Sequence, residues 1–312
     1  MKLWAKGIVW GAVGITALIL AFFVSREFPE SWVIRQEITG PINTATDWVI
    51  VHGDSFFDKA VQEPILWLTK TVFESALLWM PWWFFISLVG VVALRMAGSR
   101  VAIFSIASLT MMAFLGLHEL AMLTLSIVFG ATIIAVGIGL PLGILAAKND
   151  RFESVLRPVL DAMQTMPSFV YLIPAVMLLG LGRAPAVVAT VIYAVPPMIR
   201  LTNLGIRQVD PEVVEAAKAF GSTRFQVLMK VEIPMGLPTI MAGLNQTIMM
   251  ALAMVVVASM IGAKGLGIEV FNGIARLDAG RGLLGGLGIV LLAVIIDRIT
   301  QSVGRSRRVR ET

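Results

Sequence analysis

The sequence contains no cysteine and only two histidines. Without cysteine, a disulfide framework and a thiolate metal site are both excluded. His52 and His118 are too few and too far apart in the chain to indicate a metal centre. Charged residues are also scarce, at 14% of the chain against about 25% in an ordinary soluble domain, while 57% of the residues are hydrophobic. This balance predicts an integral membrane protein.

A nucleotide-binding loop is missing as well. The pattern GxxxxGK[ST] does not occur, and the glycines and lysine at 262–265 lack its spacing. The net charge of +5 is explained by basic loops on one side of a membrane, and no basic stripe with interleaved aromatic residues indicates a nucleic-acid partner. We therefore predict that the chain is not an enzyme, has no catalytic residues, and holds no metal or cofactor of its own.

Long uncharged runs dominate what is present. Spanning the hydrocarbon layer takes about 20 helical residues, and only helices or closed barrels satisfy the backbone polar groups in lipid. Runs this long and continuous favour helices, so we expect an all-α polytopic membrane protein with about eight transmembrane helices. The runs cover residues 7–24, 75–94, 101–117, 120–147, 162–182, 184–199, 233–263 and 282–296.

The runs and the charges divide the chain into four parts. Residues 1–24 are predicted to be a transmembrane anchor, 25–74 an exterior segment with interfacial helices, 75–303 the transmembrane domain, and 304–312 a basic tail. Most Lys and Arg residues fall on one set of loops, which predicts that both termini are cytoplasmic. The tail is expected to fix this orientation, and binding of anionic lipid is an alternative role.

Residues 210–234 form a charged, helix-forming island between two very apolar segments, so we expect them to lie in water. Asp210 and Pro211 are suited to the start of a first helix, and Gly221 to its end with a positive φ. Ser222 or Thr223 is expected to cap a second helix, and Pro234 to stop that helix before the next apolar run. The island therefore predicts a helical hairpin.

The residues of this island resemble a known sequence pattern. Glu215, Ala216 and Ala217, then Gly221, then residues 231–234 with the sequence VEIP, are similar to the EAA loop of ABC-importer permeases. Four more stretches resemble permeases of the glycine betaine/proline betaine transporter family, and the likeness runs from about residue 120 to residue 303. It implies a type I ABC-importer permease core. The four stretches are residues 160–182, 196–209, 236–247 and 255–267.

The resemblance implies an ATP-driven importer of quaternary ammonium or N-methylated osmolytes. Its expected partners are a second copy of the chain, two cytoplasmic ATPase subunits that bind ATP and Mg, an exterior solute-binding protein and membrane lipids. We expect the ATPase and the binding protein to be separate chains. The resemblance assigns contact with the ATPase to Glu215, Ala216, Ala217, Lys218, Gly221 and Pro234.

Several residues are candidates for the solute path or its gate. Asn245 and Gln246 interrupt an apolar run, and they either line the path or hydrogen-bond between helices. Met166 and Pro167 mark a break near the gate, for which a structural role is the stronger interpretation. Met260 belongs to a methionine-rich stripe that favours repacking of helices during gating, with ordinary core packing as the default interpretation. Gly262, Lys264 and Gly265 resemble the exterior gate segment of the family, although an ordinary turn explains them nearly as well.

Two rival functions remain at this stage. The first is an ABC permease for another small solute, such as an amino acid, and the resemblance outside the EAA loop argues against it. An ATP-independent secondary transporter would be expected to show intramembrane acidic residues or inverted repeats, and neither is evident in the sequence.

Overall fold

The computed structural model describes Val13 and residues 34–308. Apart from Val13, the predicted anchor at 7–24 lies outside the described residues, as does the end of the basic tail. Regular secondary structure in the described residues is entirely helical, which confirms the predicted all-α class. The chain divides into two compact units, Met1–Asp54 and Ser55–Thr312.

Twelve helical segments follow one another in the described part of the chain, and we number them α1 to α12. Some contain short π-helical turns, and a 3₁₀ turn at Ser168–Tyr171 precedes α7. The segments are α1 Arg35–Phe56, α2 Phe57–Trp79, α3 Trp82–Ala97, α4 Ser99–Phe114, α5 His118–Lys148, α6 Asp150–Thr165, α7 Leu172–Leu179, α8 Arg183–Arg207, α9 Pro211–Ala219, α10 Arg224–Ser259, α11 Leu266–Ala275 and α12 Ala279–Arg308.

Four of these helices, α5, α8, α10 and α12, are long and apolar enough to cross a membrane. Two bent pairs raise that number to 6 if each pair counts as one span: α2 with α3, bent by 99°, and α6 with the 3₁₀ turn and α7, bent by 109°. The predicted run at 101–117 is the 16-residue helix α4, which is shorter than a full span. The polytopic helical architecture is therefore confirmed in the described residues.

The run at 75–94 is not one straight helix. Met80 and Pro81 adopt extended backbone, with ψ of 127° and 143°, and separate α2 from α3. Proline disfavours helical geometry in the residue before it and lacks an N–H donor, so the helix ends at Trp79. The uncharged run therefore contains the end of one helix and the start of the next.

Close packing through glycine joins α5, α8 and α10 into the core of the second unit. A Cβ added to Gly143 on α5 would lie 2.5 Å from Thr202 Cβ and 2.8 Å from the Ile199 carbonyl oxygen, both on α8. Gly205 on α8 and Gly236 on α10 face each other, and a Cβ on Gly236 would lie 2.6 Å from the Gly205 oxygen. Small residues at such crossings let helix backbones approach closely, as in other membrane bundles.

The expectation that Pro234 stops the second hairpin helix is wrong. Helix α10 runs without a break for 36 residues, from the hairpin into the apolar bundle. The turn just before the proline is π-helical, from Leu228 to Glu232, and the N–H of Ile233 donates to the Leu228 carbonyl. A widened turn of this kind accommodates the missing N–H and the bulk of the proline ring, so the helix continues.

Candidate functional site

The hairpin at 210–234 begins as the sequence predicts. Asp210 lies at the N-cap of α9, and its Oδ1 accepts the N–H of Glu212 at 2.9 Å, while Pro211 occupies the first helical position. The cap satisfies one of the free N–H groups of the first turn, and proline has no N–H to leave unpaired there. The start of α9 is therefore determined locally.

Gly221 forms the elbow of the hairpin. Its φ is 81°, and its N–H donates to the Lys218 carbonyl at 2.9 Å. The N–H of Ser222 donates to the Ala217 carbonyl at 3.1 Å. These two bonds form a Schellman motif, which requires the left-handed conformation that glycine adopts without strain. The predicted role of Gly221 as the helix end is confirmed.

Thr223, and not Ser222, caps the second helix of the hairpin. Thr223 Oγ1 accepts the N–H of Gln226, and Gln226 Oε1 accepts the N–H of Thr223 at 2.8 Å, which completes a capping box. The reciprocal bonds define the start of α10 after the elbow.

The hairpin exposes a mixed surface of small, charged and aromatic residues. No residue of α9 is buried, and Glu215, Ala216 and Lys218 are exposed. Glu215 and Lys218 form no ion pair in the described part of the chain. Phe220 beside the elbow is 91% exposed, although a phenyl ring in water loses the benefit of burial.

The hairpin is tied to the bundle through a buried carboxylate. Glu232, the last residue of the π-helical turn, forms an ion pair with Lys148 at the end of α5. The Glu232 side chain is only 7% exposed, whereas that of Lys148 is 43% exposed. A buried carboxylate needs a charged partner, so this contact joins the base of the hairpin to α5.

A second group of ion pairs lies where α5, α6 and α8 meet. Arg207 on α8 donates to the Ala146 carbonyl at 2.8 Å and to Asp150 at 2.7 Å, and Arg200 pairs with Asp161. Ala146, Arg200 and Arg207 line a cavity of about 260 Å³. Both arginines have carboxylate partners, so the pairs serve to hold α6 against α8.

Asn245 forms hydrogen bonds between helices α10 and α12. Its Nδ2 donates to Asp297 Oδ1 at 2.8 Å, and its Oδ1 accepts the hydroxyl of Thr300 at 2.7 Å. Gln301 also donates to Asp297. Of the two roles considered for Asn245, these bonds favour the interhelical one, whereas Gln246 is exposed on the same helix.

The remaining predicted path residues belong to two separate segments of the chain. Met166 and Pro167 are exposed at the bend between α6 and α7. Met260, Lys264 and two glycines of positive φ, Gly262 at 91° and Gly265 at 153°, form the turn that follows α10. Their assignment to a solute path or gate stays a prediction.

The turn after α10 is itself anchored at several points. Gly182 donates its N–H to the Ile261 carbonyl at 2.8 Å, and Leu266 donates its N–H to Thr124 Oγ1 at 2.8 Å. In α11, which follows the turn, Glu269 accepts a hydrogen bond from Arg281 Nη2 at 2.9 Å. Hydrogen bonding by Arg281 holds the pKa of the Glu269 carboxyl below its usual value.

Replacing Asn245 by leucine is expected to lower the stability of the bundle by about 1 kcal/mol, since interhelical hydrogen bonds in membranes contribute on that order and Asp297 would lose one donor. The measurement is the thermal unfolding midpoint of the purified protein in detergent. Gln246→Leu, at the exposed neighbouring position, is the control and should leave the midpoint unchanged. Equal midpoints for both variants would show that the bonds to Asp297 and Thr300 contribute nothing.

A bundle of long apolar helices, packed through glycine and interrupted by one polar helical hairpin, is the architecture of a multi-pass membrane permease. Residues 139–309 match the family described as binding-protein-dependent transport system inner membrane component. The chain belongs to this family. It is therefore a multi-pass inner-membrane permease subunit of an ABC importer and not an enzyme, and it works with an ATPase and a solute-binding protein.

Relatives and solved structures agree with this assignment. The chain is 46% identical, over 86% of its length and 75% of the relative's, to the glycine betaine/proline betaine transport system permease protein ProW of Escherichia coli (strain K12). It is 38% identical, over 86% of its length and 95% of the relative's, to the glycine betaine transport system permease protein OpuAB of Bacillus subtilis (strain 168). A structure of the MetNI methionine ABC transporter in an inward facing conformation matches 59% of this chain and 92% of its own, with a TM-score of 0.55 and 22% identity. That similarity shows the fold.

Sequence reasoning missed the residues that tie the hairpin to the bundle. Glu232 lies inside the recognised VEIP segment, but its partner Lys148 is far away in sequence, so no local pattern indicates the pair. Phe220 and Phe225 are exposed aromatic residues on either side of the elbow, at 91% and 67%. Two phenylalanines close to the elbow of a charged hairpin are a signal that the sequence alone contained.

Proposed function

We propose that this permease imports glycine betaine or a related quaternary ammonium or N-methylated osmolyte. The observation that carries the proposal is the 46% identity to a glycine betaine/proline betaine permease across 86% of the chain. Recognition of a quaternary ammonium requires an aromatic cage, which we assign to the solute-binding protein. The permease then needs a path that accepts a net-neutral solute.

The hairpin is proposed to receive the ATPase. Helix α9 has no buried residue, and its exposed Ala216 allows the backbone of another chain to approach closely. Phe220 and Phe225 expose apolar surface to water, which favours its burial against a partner. Glu215 and Lys218 supply charges on the same short helix, and Gly221 gives the elbow. Pro234 lies within the continuous helix α10 and outside the docking face proposed for the ATPase.

The complete transporter is proposed to contain two copies of this chain and two ATPase subunits, which bind ATP and Mg. The hairpin and both termini lie on the cytoplasmic side, and the solute-binding protein docks on the opposite side. The distribution of Lys and Arg over the loops supports this orientation. Closure of the ATPase dimer would move the hairpin and, through α10, the bundle.

Uptake by the reconstituted transporter tests the substrate. Proteoliposomes that contain the permease, its ATPase and its binding protein should accumulate labelled glycine betaine only when ATP is supplied, and labelled methionine should not be accumulated. Accumulation of methionine without betaine would support the amino-acid alternative. Uptake by the permease without the ATPase would contradict an ATP-driven importer.

Replacing Gly221 by valine tests the hairpin. A β-branched residue at a φ of 81° is strained by about 1–2 kcal/mol, so the elbow should distort and the amount of ATPase that co-purifies with the permease should fall about fivefold or more. Gly116→Val is the matched control, because Gly116 has a φ of 71° and no atom within 4 Å of an added Cβ, but lies in the turn before α5. Equal loss of ATPase from both variants would argue against docking at the hairpin.

A further inference from the structure

An apolar cavity of about 360 Å³ lies between α3, α4, α5 and α12. Leu88, one of its lining residues, is 43% exposed, so the cavity opens on the outer surface of the bundle. Its only polar lining residue is Thr300, whose hydroxyl already donates to Asn245 at 2.7 Å. The cavity therefore offers a polar solute nothing to bind, and it offers water too few partners. Its occupant must be apolar.

The cavity runs lengthwise between α3 and α12, which point in the same direction. Phe85 at the start of α3 contacts His118 edge-on, with ring centroids 6.1 Å apart, and a Cβ on Gly288 of α12 would lie 3.6 Å from Leu117. Phe85 and Gly288 thus both lie beside the start of α5. The later lining residues, Val92 on α3 and Thr300 on α12, therefore lie towards the other end.

The length of the cavity matches one leaflet of a bilayer. On α12 the lining residues extend from Leu292 to Thr300, which is about 12 Å at the rise of a helix. Half of the hydrocarbon core of a membrane is about 15 Å thick. The helices that line the cavity include candidate spans, so its open side faces lipid. An acyl chain fits this space in length and in chemistry.

Positive charge without acidic partners lies at the far end of the cavity. Arg95 is one helical turn beyond Val92, and Arg100 follows in the first turn of α4. Both side chains are exposed, and neither takes part in an ion pair with any side chain that the structure describes. Residues 75–118 contain no Asp or Glu. By contrast, Arg200 and Arg207 each have a carboxylate partner.

We propose that an anionic phospholipid binds here, with one acyl chain in the cavity and its phosphate held by Arg95 and Arg100. Guanidinium groups bind phosphate through charge-assisted hydrogen bonds, and clustered basic residues next to a span attract anionic headgroups. The bound lipid fills the space between the α3–α4 pair and the core of α5 and α12. It is thus a structural part of the permease surface and is not bulk lipid.

Photo-crosslinking of the transporter complex in nanodiscs tests the acyl-chain site. A phosphatidylglycerol with a diazirine near the middle of one acyl chain should label peptides of α3 and α12. Val92→Trp and Leu88→Trp fill the cavity and should each reduce that labelling about tenfold, as expected when a pocket loses its volume. Val91→Trp is the control, because Val91 is the exposed neighbour and does not line the cavity. Labelling that survives both filled variants overturns the proposal.

The headgroup is tested with the same probe. The double variant Arg95→Gln, Arg100→Gln should lower labelling by phosphatidylglycerol about fivefold or more, to the level of a phosphatidylcholine probe. Arg151→Gln removes one exposed charge elsewhere and should have no effect. Equal labelling by the two probes, or no labelling of the cavity because a second copy or another segment of the chain covers it, would overturn the proposal.

Discussion

Replacing Lys148 by methionine is expected to uncouple the hairpin from the bundle. The substitution leaves the Glu232 carboxylate, which is 7% exposed, without its cation. The expected loss of stability is about 2 kcal/mol, less than for a fully buried pair because the Lys148 side chain is 43% exposed. Since Glu232 lies where the hairpin joins the long part of α10, transport per ATP hydrolysed should fall about fivefold. Uptake and phosphate release in the same proteoliposomes measure this ratio.

A control substitution at a second lysine distinguishes loss of the Lys148–Glu232 ion pair from loss of a positive charge in general. Lys230 lies on the same π-helical turn, is exposed, and makes no ion pair in the described residues, so Lys230→Met should leave the ratio near that of the parent protein. The double variant Lys148→Met, Glu232→Leu replaces both charges with apolar groups and should recover most of the stability. If it also recovers full coupling, the ion pair has only a structural role.

Replacing Gly143 by valine is expected to have the largest effect on the fold. An added Cβ would lie 2.5 Å from Thr202 Cβ and 2.8 Å from the Ile199 carbonyl oxygen, and valine adds two more methyl groups. Both contacts are with α8, whose backbone carbonyl cannot move without shifting the helix. Overpacking of this kind costs about 3 kcal/mol. We therefore expect a lower thermal midpoint in detergent and less folded protein in the membrane.

Gly137→Val is the control for this prediction. Gly137 lies earlier on the same helix, and no atom is within 4 Å of an added Cβ. The substitution has the same effect on helix propensity but meets open space, so its midpoint should stay close to that of the parent protein. Similar losses for the two glycines would show that the α5–α8 crossing is less tight than the structure indicates.

Local signals explain what the sequence could predict. Asp210, Pro211 and Gly221 act on backbone groups within a few residues of themselves, so their roles follow from the sequence. The helical class of the apolar runs is equally local, because lipid leaves the backbone no other partner. The resemblance to the EAA loop indicated the protein family, which composition alone does not indicate.

The sequence could not predict contacts between residues that are far apart in the chain. The Lys148–Glu232 pair and the bonds of Asn245 to Asp297 join parts of the chain that are far apart in sequence. A single sequence contains no record of such pairing. Pro234 was misjudged for a related reason: the rule that proline ends a helix assumes regular α-helical turns, and the preceding turn is π-helical. The same rule holds at Pro81, where the turn just before the break, Ser75–Trp79, is α-helical.

The π-helical turn at Leu228–Glu232 also sets an angular relation within the chain. Helix α10 is 36 residues long, about 54 Å at a rise of 1.5 Å per residue, and it reaches from the hairpin elbow to the turn at Met260. Each residue advances an α-helix by about 100°, and a π-helical turn takes up one extra residue. That single residue therefore changes, by about 100° about the helix axis, the direction of the hairpin relative to the face that α10 presents to α8. The π-helical turn therefore determines the direction in which a force on the hairpin is transmitted to the bundle.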